Sequence, residues 1–370
     1  MKFKFILLLM MLIGGLYTPL FSQNYDSIQG DIEIMETILN KMFSKDKVTF
    51  FDCGTNGYYL DGYGVLFKVP YSLKKFVHVN ENYEKAVELY ISKSNEFLTT
   101  SKAKKKAEDK LSSKKKFDKE LQKIKDTLTR FLGDYISALN YLKSNYWVTI
   151  IVYFNSSSGW FDGFYEDKDI NQLIAKVQMK DINSYRKGKL SFDRFKKKIQ
   201  YVAKSNGDTA IDEDVDLFSD IMQSFLERNE KEKEFELSDG VKGIYLNGYG
   251  AIFMLKANME PNILKVITTG DGKNSYSIST VSSSVDSQNI NEKIKNMKKE
   301  IVSLLSRFGH TMRNLNSNEW LEIALNINAH GFDEDFSKYI MKIRKKDLNE
   351  LNLERINLNE FKRRIKVITY

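Results

Sequence analysis

Four blocks of this chain occur twice in the same order, and no other feature limits the possible folds as much. GYYLDGYGVLF at Gly57–Phe67 returns as GIYLNGYGAIF at Gly243–Phe253. Upstream, DIEIMETILNKMF from Asp31 pairs with DVDLFSDIMQSFL from Asp214. Downstream, LKSNYWVTIIVYFN from Leu142 pairs with LNSNEWLEIALNIN from Leu315. Last, KVQMKDINSYRKGKLSFDRFKKKI from Lys176 pairs with KIRKKDLNELNLERINLNEFKRRI from Lys342. Chance similarity does not keep four blocks collinear. The chain is therefore expected to fold as two copies of one unit, which also suits 370 residues.

Each block has a local meaning. Ile34, Ile38 and Met42 in one half, and Leu217, Ile221 and Phe225 in the other, predict an amphipathic helix packed on those side chains. Asp31 and Asp214 then stand as carboxylates near the helix N-terminus. Val48–Cys53, Tyr58–Leu60 and Tyr63–Val69 predict a β-meander, with turns at Asn56-Gly57 and Asp61-Gly62. Asp239-Gly240 and Asn247-Gly248 take those places in the second half. Such dipeptides suit type I′ turns, whose two central residues need φ > 0. The turn signature is thus Asp61, Gly62, Tyr63 and Gly64, repeated as Asn247, Gly248, Tyr249 and Gly250.

A helix follows over Lys119–Leu142 and Ile290–Leu315. Strands are expected at Trp147–Phe154 and Trp320–Ile327, with the two tryptophans as core anchors. Further strands fall near Leu173–Met179 and Tyr339–Ile343. A terminal helix closes each unit, from Ser191 and from Asn359. The expected class is α+β: helix, β-meander, helix, two strands, helix, in tandem duplication, with antiparallel sheets and helices on one face. The first repeat spans residues 23–205 and carries a basic helical insertion near 101–120. The second spans residues 206–370.

Residues 1–22 have the order of a secretory signal peptide: basic Met1–Lys4, apolar FILLLMMLIGGL at Phe5–Leu16, then YTPLFS before a polar segment. The apolar run is shorter than the roughly 20 residues of a spanning helix. Leu20 is larger than the residue usually found three positions before a cleavage point, so the site of cleavage stays open. The expected location is periplasmic or secreted, with no transmembrane segment in the mature chain. A single cysteine, Cys53, excludes an intrachain disulfide and a cysteine-rich zinc site. Net charge is +8, falling to +6 once Lys2 and Lys4 leave, which is modest for this length and does not point to nucleic acid.

Catalytic patterns are scarce. The Gly-Tyr-Gly triplets lack the following helix and the Gly-Lys-Ser/Thr run of a phosphate loop. The three histidines, His78, His310 and His330, form no zinc spacing and are not repeated between halves. The loop after Trp147–Phe154 offers two weaker candidates. Trp160, Phe161, Phe164 and Tyr165 could form an aromatic contact surface. Asp162, Glu166, Asp167 and Asp169 could offer oxygen ligands to a hard cation, though in no EF-hand spacing. No cofactor is implied. What the halves share is turn glycines, tyrosines, tryptophans and apolar positions, a packing signature. The functional expectation is an exported cell-envelope protein of unknown specific role, a non-enzymatic binding or structural module, with an envelope protein or glycan as the candidate partner. Two other classes stay open: an envelope-polymer hydrolase using carboxylates of one repeat, and a peripheral binder of anionic surfaces through the basic run.

Overall fold

The computed structural model of the chain describes residues 22–44, 54–72, 101–155, 170–205, 207–228, 235–238, 240–258, 287–328 and 338–369. Among the described residues it is an α+β protein with eight helices and two mixed sheets. Two compact units divide it, residues 31–206 and residues 207–370, the residues up to Gly30 being grouped with the latter.

The first unit runs from Asp31 within α1 (Ser22–Ser44) through β1 (Asn56–Leu60), β2 (Gly64–Ser72), α2 (Ser101–Asp134), β3 (Trp147–Asn155), β4 (Gln172–Gln178), α3 (Met179–Arg186), α4 (Phe192–Lys196) and β5 (Gln200–Lys204). Its sheet has the order β1-β2-β3-β4-β5. The second unit runs α5 (Ala210–Glu227), β6 (Glu236–Leu237), β7 (Lys242–Leu246), β8 (Gly250–Asn258), α6 (Ser287–Phe308), β9 (Trp320–Asn328), β10 (Lys338–Arg344), α7 (Lys345–Asn352), α8 (Leu358–Arg364) and β11 (Lys366–Thr369). There β11, β10, β9 and β8 lie side by side, and β8 also pairs with β7 and with the two-residue β6.

The sheets are mixed rather than antiparallel. β2 pairs parallel with β3, and β8 parallel with β9. The other pairs of both sheets are antiparallel. The cause is the long connection that holds α2 or α6. A crossover of a dozen or more residues returns the chain to the same end of the sheet, which a tight turn cannot do. Each unit also ends in a strand, β5 or β11, after a helix of only five or seven residues. The expected closing helices are therefore short.

The core of each unit lies between the sheet and the helices. In the second unit it joins Val215, Phe218 and Met222 of α5, Ile301 and Leu304 of α6, Phe253 and Leu255 of β8, and Ile323 and Leu325 of β9. The strand residues are odd-numbered, as the two-residue period of a pleated strand requires for one face. In the first unit Phe67 meets Phe131 edge to face at 5.9 Å, and in the second Phe218 meets Phe253 at 4.8 Å.

The helix faces differ from the expected ones. Ile34 and Leu217 are 55% and 54% exposed, whereas Ile32, Met35 and Leu39, and Val215, Phe218 and Met222, are buried. A row of pure i, i+4 spacing drifts around a helix of 3.6 residues per turn, whereas alternating steps of three and four stay on one side. Both helices begin earlier than Asp31 and Asp214. For α5 the cap is Thr209, whose side chain accepts the Asp212 amide at 3.3 Å. Asn56-Gly57 is no turn but part of β1, where a Cβ on Gly57 would lie 2.5 Å from the Ile32 side chain. At the matching Gly243 a Cβ would lie 2.5 Å from Val215. The bare glycine lets the leading helix of each unit sit close on the sheet. Val48–Cys53 and residues 1–21 lie outside the described residues.

Candidate functional site

The repeated Gly-Tyr-Gly triplet sits where the parallel ladder starts. Leu60 pairs with Gly64, so Asp61, Gly62 and Tyr63 form the link between β1 and β2. The Tyr63 amide donates to the Leu60 carbonyl at 2.9 Å, with Gly62 at φ +86°. In the other half Tyr249 donates to the Leu246 carbonyl at 2.9 Å, with Gly248 at φ +79°. Among the described residues only Glu354 has positive φ without being glycine. Asp61 and Asn247 are thus in ordinary backbone regions, and the turns are type II rather than type I′.

Tyr63 and Tyr249 then pass the chain to the parallel partner. The Trp147 amide donates to the Tyr63 carbonyl at 2.8 Å, and the Trp320 amide to the Tyr249 carbonyl at 2.9 Å. Gly64 and Gly250 have φ +136° and +146°. A Cβ there would lie 2.0 Å from the Trp147 carbonyl oxygen in one case and 1.9 Å from that of Trp320 in the other. The second glycine is therefore required by contact between two backbones, a stricter demand than the turn makes.

The side chains beside this junction differ between the units. The buried Tyr63 hydroxyl shares a hydrogen bond of 2.7 Å with Thr149. Burial pushes its pKa up to about 12, against a smaller opposing effect of the Thr149 bond. The Tyr249 hydroxyl instead donates to the carboxylate of Glu322, which is fully buried. Glu319, 6% exposed, occupies the position that Tyr146 holds in the first unit. Its carboxylate accepts from the Tyr245 hydroxyl at 2.9 Å, the Gly248 amide at 3.3 Å, and the Asn316 amide and side chain at 3.0 and 3.1 Å. Burial, and then the Glu319 bond, push the Tyr245 phenol up to about 12.

Lys345 takes the place of Met179. It is 3% exposed, and its ammonium donates to the His310 carbonyl at 2.8 Å. Burial lowers its pKa to about 8, and the charge of Asp214 opposes that shift. Asp214 itself accepts from the Asn314 amide at 2.6 Å and from its side chain at 3.1 Å. An amine of this kind can attack a carbonyl, but its observed partner is a main-chain oxygen. Glu319 is likewise engaged by main-chain and amide donors. The set braces the loop before β9 against the β7–β8 turn.

On the face of the sheet opposite the helices, Trp320, Glu322, Lys342, Arg344 and Lys366 stand together. Arg344 is in register with Trp320, and Lys342 with both Glu322 and Lys366. The Arg344 guanidinium carbon lies 3.6 Å from the Trp320 ring centre, Lys342 Nζ 4.8 Å and Lys366 Nζ 5.3 Å. Trp320 is half-buried, not the enclosed core anchor expected. The corresponding Trp147 is also half-buried and has Lys176 at 5.1 Å as its cation among the described residues. Gln178 and Gln200 stand where the second unit has Arg344 and Lys366.

The aromatic group Trp160, Phe161, Phe164 and Tyr165, and the acidic group Asp162, Glu166, Asp167 and Asp169, lie outside the described residues. Among the described residues no three His, Cys, Asp or Glu side chains are grouped to hold a metal ion. Among them, too, no helix is long and apolar enough to cross a membrane. Sequence reasoning passed over Glu319, Glu322, Lys342, Arg344, Lys345 and Lys366. The signal was present in the matched blocks, where YWVT faces EWLE and VQMKD faces IRKKD.

No protein-family model and no curated protein sequence matches the chain. A solved structure, "Crystal structure of Sex pheromone staph-cAM373 precursor", aligns over 90% of this chain and 82% of its own, at 10% identity and a TM-score of 0.22. A likeness at that score carries no weight for fold or function.

Proposed function

We propose that the chain is an exported cell-envelope protein, a non-enzymatic binding module made by tandem duplication of one α+β unit, in which the second unit carries the binding chemistry. One observation carries the reading. The two sheets share strand order, pairing senses and the glycine–tryptophan junction, yet their polar residues diverge at that junction. Tyr146, Thr149, Gln178, Met179 and Gln200 in one unit answer to Glu319, Glu322, Arg344, Lys345 and Lys366 in the other. A duplicated frame with charge added to one copy leaves the other copy as scaffold. The carboxylates found at the junction are taken up by structural donors, which favours binding over hydrolysis.

Export rests on the leader-like order of residues 1–22. Intact mass and fractionation of the natively expressed protein test it. Loss of about 22 residues, with the protein outside the cytoplasm, is the expected outcome. A full-length cytosolic protein would overturn the envelope reading.

A second reading has its own observation. The basic run Lys102–Lys116 belongs to α2, a single helix of 34 residues, about 51 Å long. A helix that carries this run of charge suits attachment to an anionic surface. Salt-sensitive binding to anionic vesicles that disappears on replacing the lysines of that run by glutamine would establish it.

A further inference from the structure

We infer that the face built on Trp320 is a phosphate-binding site, and that its ligand is a phosphate group borne on an anionic polymer of the cell envelope. The inference rests on the binding-module reading above and names the ligand of that unit. Lys342 and Lys366 are direct cross-strand partners, and Arg344 follows Lys342 on the same face. Like charges placed opposite each other on a sheet destabilise it. Three cations converge here, and the carboxylate of Glu322 stands in register with one of them. The Trp320 ring offsets part of the repulsion, with all three cations between 3.6 and 5.3 Å of its centre. The indole acts as a plate that holds them, not as a surface left open for stacking.

Access comes from the outer strand. Lys366 is exposed and Arg344 half-buried, whereas Lys342 is buried behind them. Arg344 uses one terminal nitrogen to donate to the Asn318 carbonyl, and that bond fixes the guanidinium plane. The planar Arg344 fork and the exposed Lys366 ammonium match an oxyanion of high charge, with the buried Lys342 adding its field from behind, and a phosphate answers this better than a single carboxylate. The first unit keeps the indole and one lysine but has glutamines at the other two places. The frame therefore does not need the extra cations.

The test uses the full chain with Trp147→Phe and Trp160→Phe, so that Trp320 alone reports. It is titrated with inorganic phosphate and with polyphosphate at equal phosphorus and matched ionic strength. A saturable fluorescence change is expected, with polyphosphate binding at least about ten-fold tighter by rebinding of neighbouring groups. R344Q/K366Q, which installs the residues of the first unit, should lower affinity for both probes at least about ten-fold, the loss of roughly one charge-assisted contact. K176Q beside Trp147 should leave binding unchanged. Calorimetry on the unmodified chain makes the same comparison without replacing a tryptophan. No saturable binding, or equal affinity in R344Q/K366Q, overturns the site. Equal affinity for both probes overturns the polymer as ligand. Fractionation decides the export reading separately, since a cytosolic protein that binds phosphate here would sink that reading and keep this site.

Discussion

Gly62 and Gly64 stand two positions apart and answer to different constraints. Gly62 has φ +86° and open space around a virtual Cβ, so Gly62→Ala should cost only about 1–2 kcal/mol of left-handed strain. At Gly64 the added methyl would strike the Trp147 carbonyl, and the first bond of the parallel ladder would be lost. Gly64→Ala should therefore cost about 4 kcal/mol or more. Urea denaturation of the two variants measures the difference, and equal losses would contradict the geometry. The tyrosine between them gives a second comparison. Tyr63→Phe removes a neutral hydrogen bond and should cost about 1 kcal/mol, whereas Tyr249→Phe withdraws a donor from a buried carboxylate and should cost about 2–3 kcal/mol.

At the scale of elements, the packed stripe of α5 can be checked directly. Phe218→Ala should cost about 3–5 kcal/mol, as for other buried phenylalanines, while Leu217→Ser on the exposed side should change stability by less than about 0.5 kcal/mol. The reverse order would restore the face first expected from spacing. Elements of this kind were only partly legible in the sequence. β1 to β4 and their counterparts were visible because β-formers alternate between turn residues. β5 and β11 were not, since QYVAK and KVIT are short, half-exposed edge strands that follow a helix with hardly a break. Parallel pairing was missed for another reason. Strand direction is set by where the crossover returns, which local pattern does not encode. The cation cluster shared this fate, because Lys366 meets Arg344 and Lys342 only once β11 is known to be a strand. The aromatic and acidic groups near residue 160 were legible as composition alone.

For the whole molecule, alkaline pH should act in two opposed phases. Lys345 titrates near 8 when folded and at its ordinary 10.5 when unfolded. Between those values the unfolded chain binds more protons, so stability rises with pH. Tyr63, Tyr201 and Tyr245 titrate near 12 when folded, against 10 when unfolded. Above pH 10 the unfolded chain loses protons first, and stability falls. Denaturation midpoints from pH 7 to 11.5 should pass through a maximum near pH 10. Lys345→Met should flatten the rising limb and leave the falling limb in place, and a steady decline from pH 8 would refute the assignment.

The parallel pairs have a consequence for how the chain reaches this state. Gly64 meets Trp147, and Gly250 meets Trp320, only after the whole intervening crossover has been drawn into a loop. That closure spends chain entropy before any ladder bond rewards it, so each sheet is assembled late and slowly relative to its hairpins. A polypeptide that delays its tightest tertiary contact remains threadable for longer. Slow closure at two glycines is then the step at which each unit locks.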